Sequence, residues 1–495
     1  MTSAASTHPI ADLAAAKALG TAFRSAGYTE NGIYRLLGDD AYSTERNDAP
    51  VEARRLPQTQ LGLLVRAFFL QLPLSRGDAL RALGPSGLDA VEATGLADLG
   101  AELFPHARVL PIGKVLLASD GFSRDGDDPA DYVATYTPTA RVLDSLTPRP
   151  QVGRALDVGT GGGVHALLAA THAGQVIASD VNERALAYTE LNAALNGLAN
   201  VESRSGSLFE PVGDETFDLI TCNAPYVVSP ERRWAYRDSG FQADELSERV
   251  VREAAQHLAE NGFATVQVSW LAPNEDAADE RVLAWALATG CDAWILPTLA
   301  TDALEHAAEW NSHLAAEPEA LVQALDEWLQ YFDRLGLRWV SEGVVVLHRQ
   351  SSHPPTIRID PVDEDDLDDA GDQVLRAFEA RARLAAVPSG TRLLDEEVTL
   401  GSALRLEREL EPDEDGGEPT IAGERVELLE GTKHAVDATD DALEVLASLD
   451  GRPLGEVIAD VAERLEVSEK EATRLQRDAL ALIRELLELG ALRFG

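Results

Sequence analysis

The chain has 495 residues, with 84 acidic against 42 basic side chains and a formal net charge of −42. That length asks for about two to four domains, and a 45% hydrophobic, 25% charged composition is that of a globular chain. The acidity disfavours long-range attraction to a phosphate backbone, and no apolar run reaches the length of a membrane span.

The first twenty residues lack the basic-then-apolar layout of a signal peptide. Cys222 and Cys291 are too far apart for a CxxC or zinc-type pattern, so a reducing, cytoplasmic setting is expected. Residues 61–71, LGLLVRAFFLQ, read as an apolar helix. Ser75 is a candidate cap for RGDALRALG, and PSGLDAVEATGL reads as a third helix. ARVLPIGKVLLAS then gives two short β-type runs about Pro111-Ile112-Gly113, a hairpin signal. Helices followed by a hairpin suggest a winged-helix-like module. Its few basic residues favour protein contact or packing over DNA. Residues 121–131 read as a polar linker, after which Thr137 caps a helix with Pro138 in its first turn.

From Ala155 to about Arg349 strands and helices alternate. RALDVG, QVIASD, FDLITCN, FATVQVSW, DAWILP and GVVVLHR are the strands. Such alternation predicts an α/β fold with a doubly wound sheet, and residues 299–336 read as a helical insertion before the last strand. About half of the net negative charge falls beyond residue 350, much of it in DEDDLDDAGD and ELEPDEDGGEP, which read as solvated loops. Ser468 and Glu471 form an S-x-x-E box opening an amphipathic helix, and ALRF is a candidate terminal strand.

The strand RALDVG ends near Asp157, and Gly159, Gly161 and Gly163 follow at alternate positions before a helix. Glycines there let the backbone turn sharply and approach a ligand without Cβ clashes. A dinucleotide fingerprint would be G-x-G-x-x-G, whereas Val164 occupies its third glycine position. A nicotinamide-dependent oxidoreductase is therefore the weakest reading. An acidic residue ahead of the loop suits a ligand with a cationic, amino-acid-like tail, such as S-adenosyl-L-methionine (SAM). QVIASD ends at Asp180, where a carboxylate can accept from both hydroxyls of a ribose. His165 and His172, on or just after the next helix, read as structural, and no metal site is expected.

With these pieces, about residues 135–350 resemble a class I SAM-dependent methyltransferase. The kinship is to the small-domain group that includes the HemK/PrmC glutamine methyltransferases and several RNA base N-methyltransferases. The residues that carry the resemblance are LDVGTGGG, ASDVNERAL, GSLFEP, NAPYVV and YRDSG. The resemblance implies a Rossmann-like methyltransferase sheet flanked by small, mostly helical winged-helix-like N- and C-terminal domains. The expected divisions are 1–125 (N-terminal, helical), 130–350 (methyltransferase), 351–430 (acidic, irregular linker) and 431–495 (C-terminal, winged-helix-like).

It further implies that Asp157, Gly159, Gly161, Gly163, Asp180, Ser207, Leu208 and Asn223 surround the cofactor. Ser207 stands where the family usually has Asp. The turn Asn223-Ala224-Pro225-Tyr226 corresponds to the family's N-P-P-Y, with Ala224 for the first proline, and implies Asn223, Pro225 and Tyr226 as catalytic residues. Such a turn methylates planar nitrogens: glutamine side-chain amides or exocyclic base amines. The Asn223 side-chain oxygen and the next backbone carbonyl would accept the two N–H groups of the target. Tyr226 would supply a flat face. Ala224, Tyr226, Arg237, Asp238 and Gly240 are candidate substrate contacts. The partner implied is a protein or an RNA or DNA, with the acidity tilting toward protein. The alternative is a regulatory protein that binds SAM without transferring its methyl group, which Ser207 and Ala224 would suit.

Overall fold

The computed structural model describes residues 9, 12–123, 128–230, 241–386, 390–411 and 420–495. Its centre is an eight-stranded sheet: β1 (Val152–Val158), β2 (Ala173–Asp180), β3 (Val201–Ser205), β4 (Phe217–Cys222), β5 (Leu258–Ala272), β6 (Asp292–Asp302), β7 (Trp339–His348) and β8 (Ile357–Ile359). The order across the sheet is β3-β2-β1-β4-β5-β7-β6-β8. Every neighbouring pair is parallel except those made by β7, which runs antiparallel to both β5 and β6.

The inner strands are near-continuous apolar runs because helices cover both faces. β7, for example, is buried from Val340 to Leu347. Chain order reverses between β1 and β4, so their carboxyl ends form the crevice where open α/β sheets bind ligands.

Two strands escaped the sequence reading. β3 is a polar edge strand, partly exposed along its length, and so lacks an apolar signature. β8 has only three residues and joins the far edge through β6.

The N-terminal region is built from helices Leu13–Ser25, Glu30–Leu37, Ala49–Arg55, Gln60–Leu64 and Arg76–Ala93. A small antiparallel sheet joins Leu74–Ser75, Glu102–Pro105 and Ala97–Leu99. Ser75 caps its helix as expected, its side chain accepting from the Asp78 N–H. The two helices anticipated after it are one helical stretch broken at Gly84-Pro85, where Gly84 has φ 68°. The expected hairpin is Ala107–Ile112 paired with Val115–Asp120. It does not stand apart: its Val115, Leu117 and Ala118 share one core with Val164, Leu167, Tyr188 and Leu191 of the central domain. The helix Leu13–Ser25 crosses the helix Glu183–Asn196 so closely that a Cβ on Gly20 would lie 1.9 Å from the Leu195 carbonyl oxygen.

Beyond the sheet, the expected irregular linker over 351–430 is a correction. Residues Gly371–Ala386 form a helix, and Leu404–Glu411 pairs with Thr420–Leu428 in an antiparallel hairpin. Ala380, Leu384, Val398, Val426 and Leu428 pack with Val445, Ile458, Leu475, Ile483 and Leu492 in a single core. The acidic residues Asp363–Asp366, Asp368, Asp369 and Asp372 are exposed and mask, in the sequence, the amphipathic helix that follows, which buries Val374, Ala377, Phe378, Ala380 and Leu384. The capping box at Ser468 and Glu471 is present, and Leu492–Phe494 pairs with Val398–Leu400.

Candidate active site

The glycine loop leaves β1 with Gly159, Gly161 and Gly163 all in the left-handed region, at φ 68°, 54° and 89°. An L side chain would be strained at each. A Cβ on Gly161 would meet no atom within 4 Å, so the loop faces open space there. A Cβ on Gly159 would lie 3.4 Å from Ala224 Cα. The two motifs, some sixty residues apart in sequence, are thus in van der Waals reach across the switch point.

Asp157 orders this loop from beneath. It is 1% exposed, and its carboxylate accepts from Thr160 Oγ1 at 2.6 Å, the Ala166 N–H at 3.1 Å and Thr221 Oγ1 at 2.8 Å. Thr221 lies on β4, so one carboxylate ties the glycine loop, the following helix and the strand that leads to the Asn-Ala-Pro-Tyr turn.

Asp180 ends β2 facing the loop. Its Oδ2 accepts from the Gly161 N–H at 2.9 Å and its Oδ1 from the Asn182 N–H at 2.8 Å. Burial raises its pKa, and these two hydrogen bonds oppose the shift. Next to it, the Gly206 N–H donates to the Asp180 carbonyl, and Ser179 Oγ to the Leu208 carbonyl at 3.3 Å. Ser207 and Leu208 are therefore held beside Asp180, both half-buried, with Leu208 at φ 50°. These residues would suit a SAM molecule: a glycine loop with open space beside Gly161, a carboxylate at the end of β2, and a short polar loop beside it.

Asn223, Pro225 and Tyr226 are half-buried and Ala224 is buried. The Ala224 N–H donates toward the Cys222 thiol, a bond that a proline at this position could not make. Burial pushes that thiol up to about 12, which keeps it neutral and unreactive. The Tyr226 carbonyl accepts from Ser269 Oγ on β5, and its hydroxyl is hydrogen-bonded to Thr139, in the first turn of the helix Pro138–Leu146. Burial raises the Tyr226 pKa, with the charge of Glu342 adding to it. Tyr226 is thus anchored at both ends, which turns its ring into a fixed wall.

The helical insertion supplies a floor that the sequence did not announce. Val227 and Val228 pack with Trp328 and Phe332, and His306 Nε2 contacts the Val228 carbonyl at 3.1 Å. Glu342, on β7 and 7% exposed, lies 3.7 Å from His306 Nδ1. Burial, and then the charge of Glu309, push its carboxyl up to about 7. Tyr331 accepts from the Ala243 N–H at 2.8 Å, just past the substrate-loop residues. Arg237, Asp238 and Gly240 themselves lie outside the described residues. His165 is buried with a lowered pKa, and His172 contacts the Pro150 carbonyl at 2.7 Å. Among the described residues no group of His, Cys, Asp and Glu is placed to hold a metal ion.

Sheet order, glycine loop and polar turn resemble those of class I methyltransferases of the HemK/PrmC-like small-domain kind. Residues 137–275 match the methyltransferase small domain family. The chain is 31% identical over 154 residues to a release factor glutamine methyltransferase of Geobacter sulfurreducens, covering 28% of this chain and 54% of the relative. It is 36% identical over 124 residues to a ribosomal protein uL3 glutamine methyltransferase of Bradyrhizobium diazoefficiens, covering 22% and 39%. It is also 29% identical over 161 residues to a ribosomal RNA small subunit methyltransferase C of an Enterobacter species, covering 32% and 41%. The chain spans about half, or less, of the length of these curated relatives. Residues 25–104 match a family described only as a domain of unknown function, DUF7059. No helix among the described residues is long and apolar enough to cross a membrane.

Proposed function

We propose that the protein is a SAM-dependent N-methyltransferase acting on a planar nitrogen, with a protein glutamine amide as its target. The packing of Gly159 against Ala224, so close that a Cβ on Gly159 would lie 3.4 Å from Ala224 Cα, carries this reading, because it sets the donor loop against the turn that would hold the acceptor. SAM bound at the glycine loop would supply an activated methyl group. The chain's own residues need only position. Asp180 would hold the ribose, with Ser207 and Leu208 beside the adenine. The Asn223 side-chain oxygen and the Ala224 carbonyl would accept the two N–H groups of the amide and favour pyramidalisation of its nitrogen. Tyr226 would hold the amide plane, and proximity would supply much of the rate.

The activities of two relatives, glutamine methylation of a release factor and of ribosomal protein uL3, support an amide. A net charge of −42 supports a protein over a nucleic-acid target. Loss of a proline at Ala224 leaves the carbonyl acceptor in place, which weighs against a degenerate site.

Asn223→Ala tests the proposal. It is expected to lower methyl transfer to glutamine-containing protein substrates by a factor on the order of a hundred or more, while SAM affinity stays within about twofold. Transfer at the unmodified rate, or label transferred to nuclease-sensitive material only, would refute it.

A further inference from the structure

Asp157 and Asp180 hold the glycine loop from the sheet, and a second set of restraints on it comes from outside the sheet. Four glycines in the five residues from Gly159 to Gly163 carry a large entropic cost of ordering. Their carbonyls are held by the helix Glu183–Asn196: Thr189 Oγ1 donates to the Gly161 carbonyl at 3.0 Å, and Asn192 Nδ2 to the Gly162 carbonyl at 2.8 Å. In a trans peptide the N–H points opposite to the C=O. Pinning the Gly161 carbonyl onto the helix therefore turns the Gly162 N–H away from it.

The Asn192 carboxamide does more than this. It is fully buried, its Oδ1 accepts from the Ala118 N–H at 2.8 Å, and its second Nδ2 hydrogen reaches the Ala118 carbonyl at 2.8 Å. Ala118 belongs to the N-terminal hairpin. Four residues on, Asn196 repeats the pattern at Leu116, accepting from its N–H at 2.8 Å and donating to its carbonyl at 2.7 Å. The two amides stand in for a neighbouring strand along the hairpin edge, and Asn192 alone of the two also reaches the glycine loop.

The hairpin closes on the loop directly as well. A Cβ on Gly162 would lie 3.4 Å from Leu117 Cδ1 and 3.5 Å from the Ala118 carbonyl oxygen. At the hairpin's end, Asp120 forms a buried ion pair with Arg184, accepts from Tyr188 at 3.1 Å and accepts from the Val133 N–H at 2.8 Å.

We infer that the N-terminal region is a brace for the cofactor loop, with Asn192 the positioning residue that joins its hairpin to Gly162. This gives a role to a region whose family match names none, and it rests on the SAM site proposed above. By linkage, docking of the hairpin and binding of SAM favour one another.

SAM affinity of the full chain, measured calorimetrically for the unmodified protein and its variants, tests the inference. Asn192→Ala is expected to weaken SAM binding on the order of tenfold, because it strands the Gly162 carbonyl. Asn196→Ala removes a comparable pair of hairpin contacts at Leu116, and one from Arg24, without touching the loop; by linkage it is expected to weaken SAM binding, but clearly less than Asn192→Ala, by about two- to threefold. Thr189→Val, which removes only the Gly161 contact and keeps the side-chain shape, tests whether the loop carbonyls need holding, and a loss of at least about threefold is expected; if Asn192→Ala fails to fold, hydrogen exchange at the Ala118 amide of the unmodified chain decides whether the hairpin takes part. SAM is also expected to slow hydrogen exchange at the Ala118 amide. Equal effects of Asn192→Ala and Asn196→Ala, or unchanged affinity in both Asn192→Ala and Thr189→Val, would overturn the brace while leaving the methyltransferase reading intact. Absence of SAM binding by the unmodified chain would overturn both.

Discussion

Glu342→Gln probes the floor beneath the Asn-Ala-Pro-Tyr turn. Glu342 is buried against His306 and close enough to Tyr226 to shift its ionisation. Its carboxyl is raised from 4.5 to about 7, first by burial and then by the charge of Glu309. A group whose folded pKa exceeds its unfolded value binds its proton more tightly in the native state. Its contribution to stability is complete below pH 4.5 and is lost as the pH rises through 7. At roughly 1.4 kcal/mol for each pH unit, the whole window corresponds to about 3.5 kcal/mol. Glutamine keeps the shape of the protonated carboxyl and cannot ionise. The variant is therefore expected to lack that fall, and to be more stable than the unmodified chain at pH 8, with the gap nearly closed at pH 5.

Thermal and urea unfolding of both proteins across pH 5 to 8 measure the gap. Each is compared at the transition of the central domain, since a chain of several domains need not unfold in one step. Parallel stability profiles of the two proteins, or a variant less stable than the unmodified chain at pH 8, would refute the assignment of a buried, protonated Glu342.

Asp157→Ala leaves two threonine hydroxyls and the Ala166 N–H without their shared acceptor. It is expected to cost about 3 kcal/mol of stability, read from denaturant midpoints, and to weaken SAM binding in calorimetry. Gly163→Ala puts an L side chain at φ 89° with its Cβ 2.9 Å from Thr189 Oγ1. A loss of about 2 kcal/mol or more is expected, and a Thr189→Ser background should recover part of it, because the methyl group that also crowds the site is gone.

The central domain was legible because its signals are local. Strand-length apolar runs bounded by turn residues fix the alternation, and a glycine at each left-handed position of the loop is a requirement visible in the letters themselves. Asp157 and Asp180 were legible for the same reason, since each ends a strand that could be recognised. β3 was not, because an edge strand of polar residues has no buried face to mark it. The helix Gly371–Ala386 and the strands Leu404–Glu411 and Thr420–Leu428 were hidden because their buried positions find partners far away: Val374 and Phe378 against Trp294 and Val344 of the sheet, Ala380, Leu384 and Val426 against later helices.

The sequence by itself determined the two motifs and the sheet they belong to, because backbone conformation and hydrophobic period are properties of neighbouring residues. It could not determine that Gly159 would rest against Ala224, that Glu342 and His306 would lie under Tyr226, or that Asn192 would hold a hairpin with one side of its amide and the glycine loop with the other. Those contacts join residues far apart in the chain. An amide, a carboxyl or an imidazole looks the same in the sequence whether it faces water or a buried partner, so packing alone decides which of them shape the site.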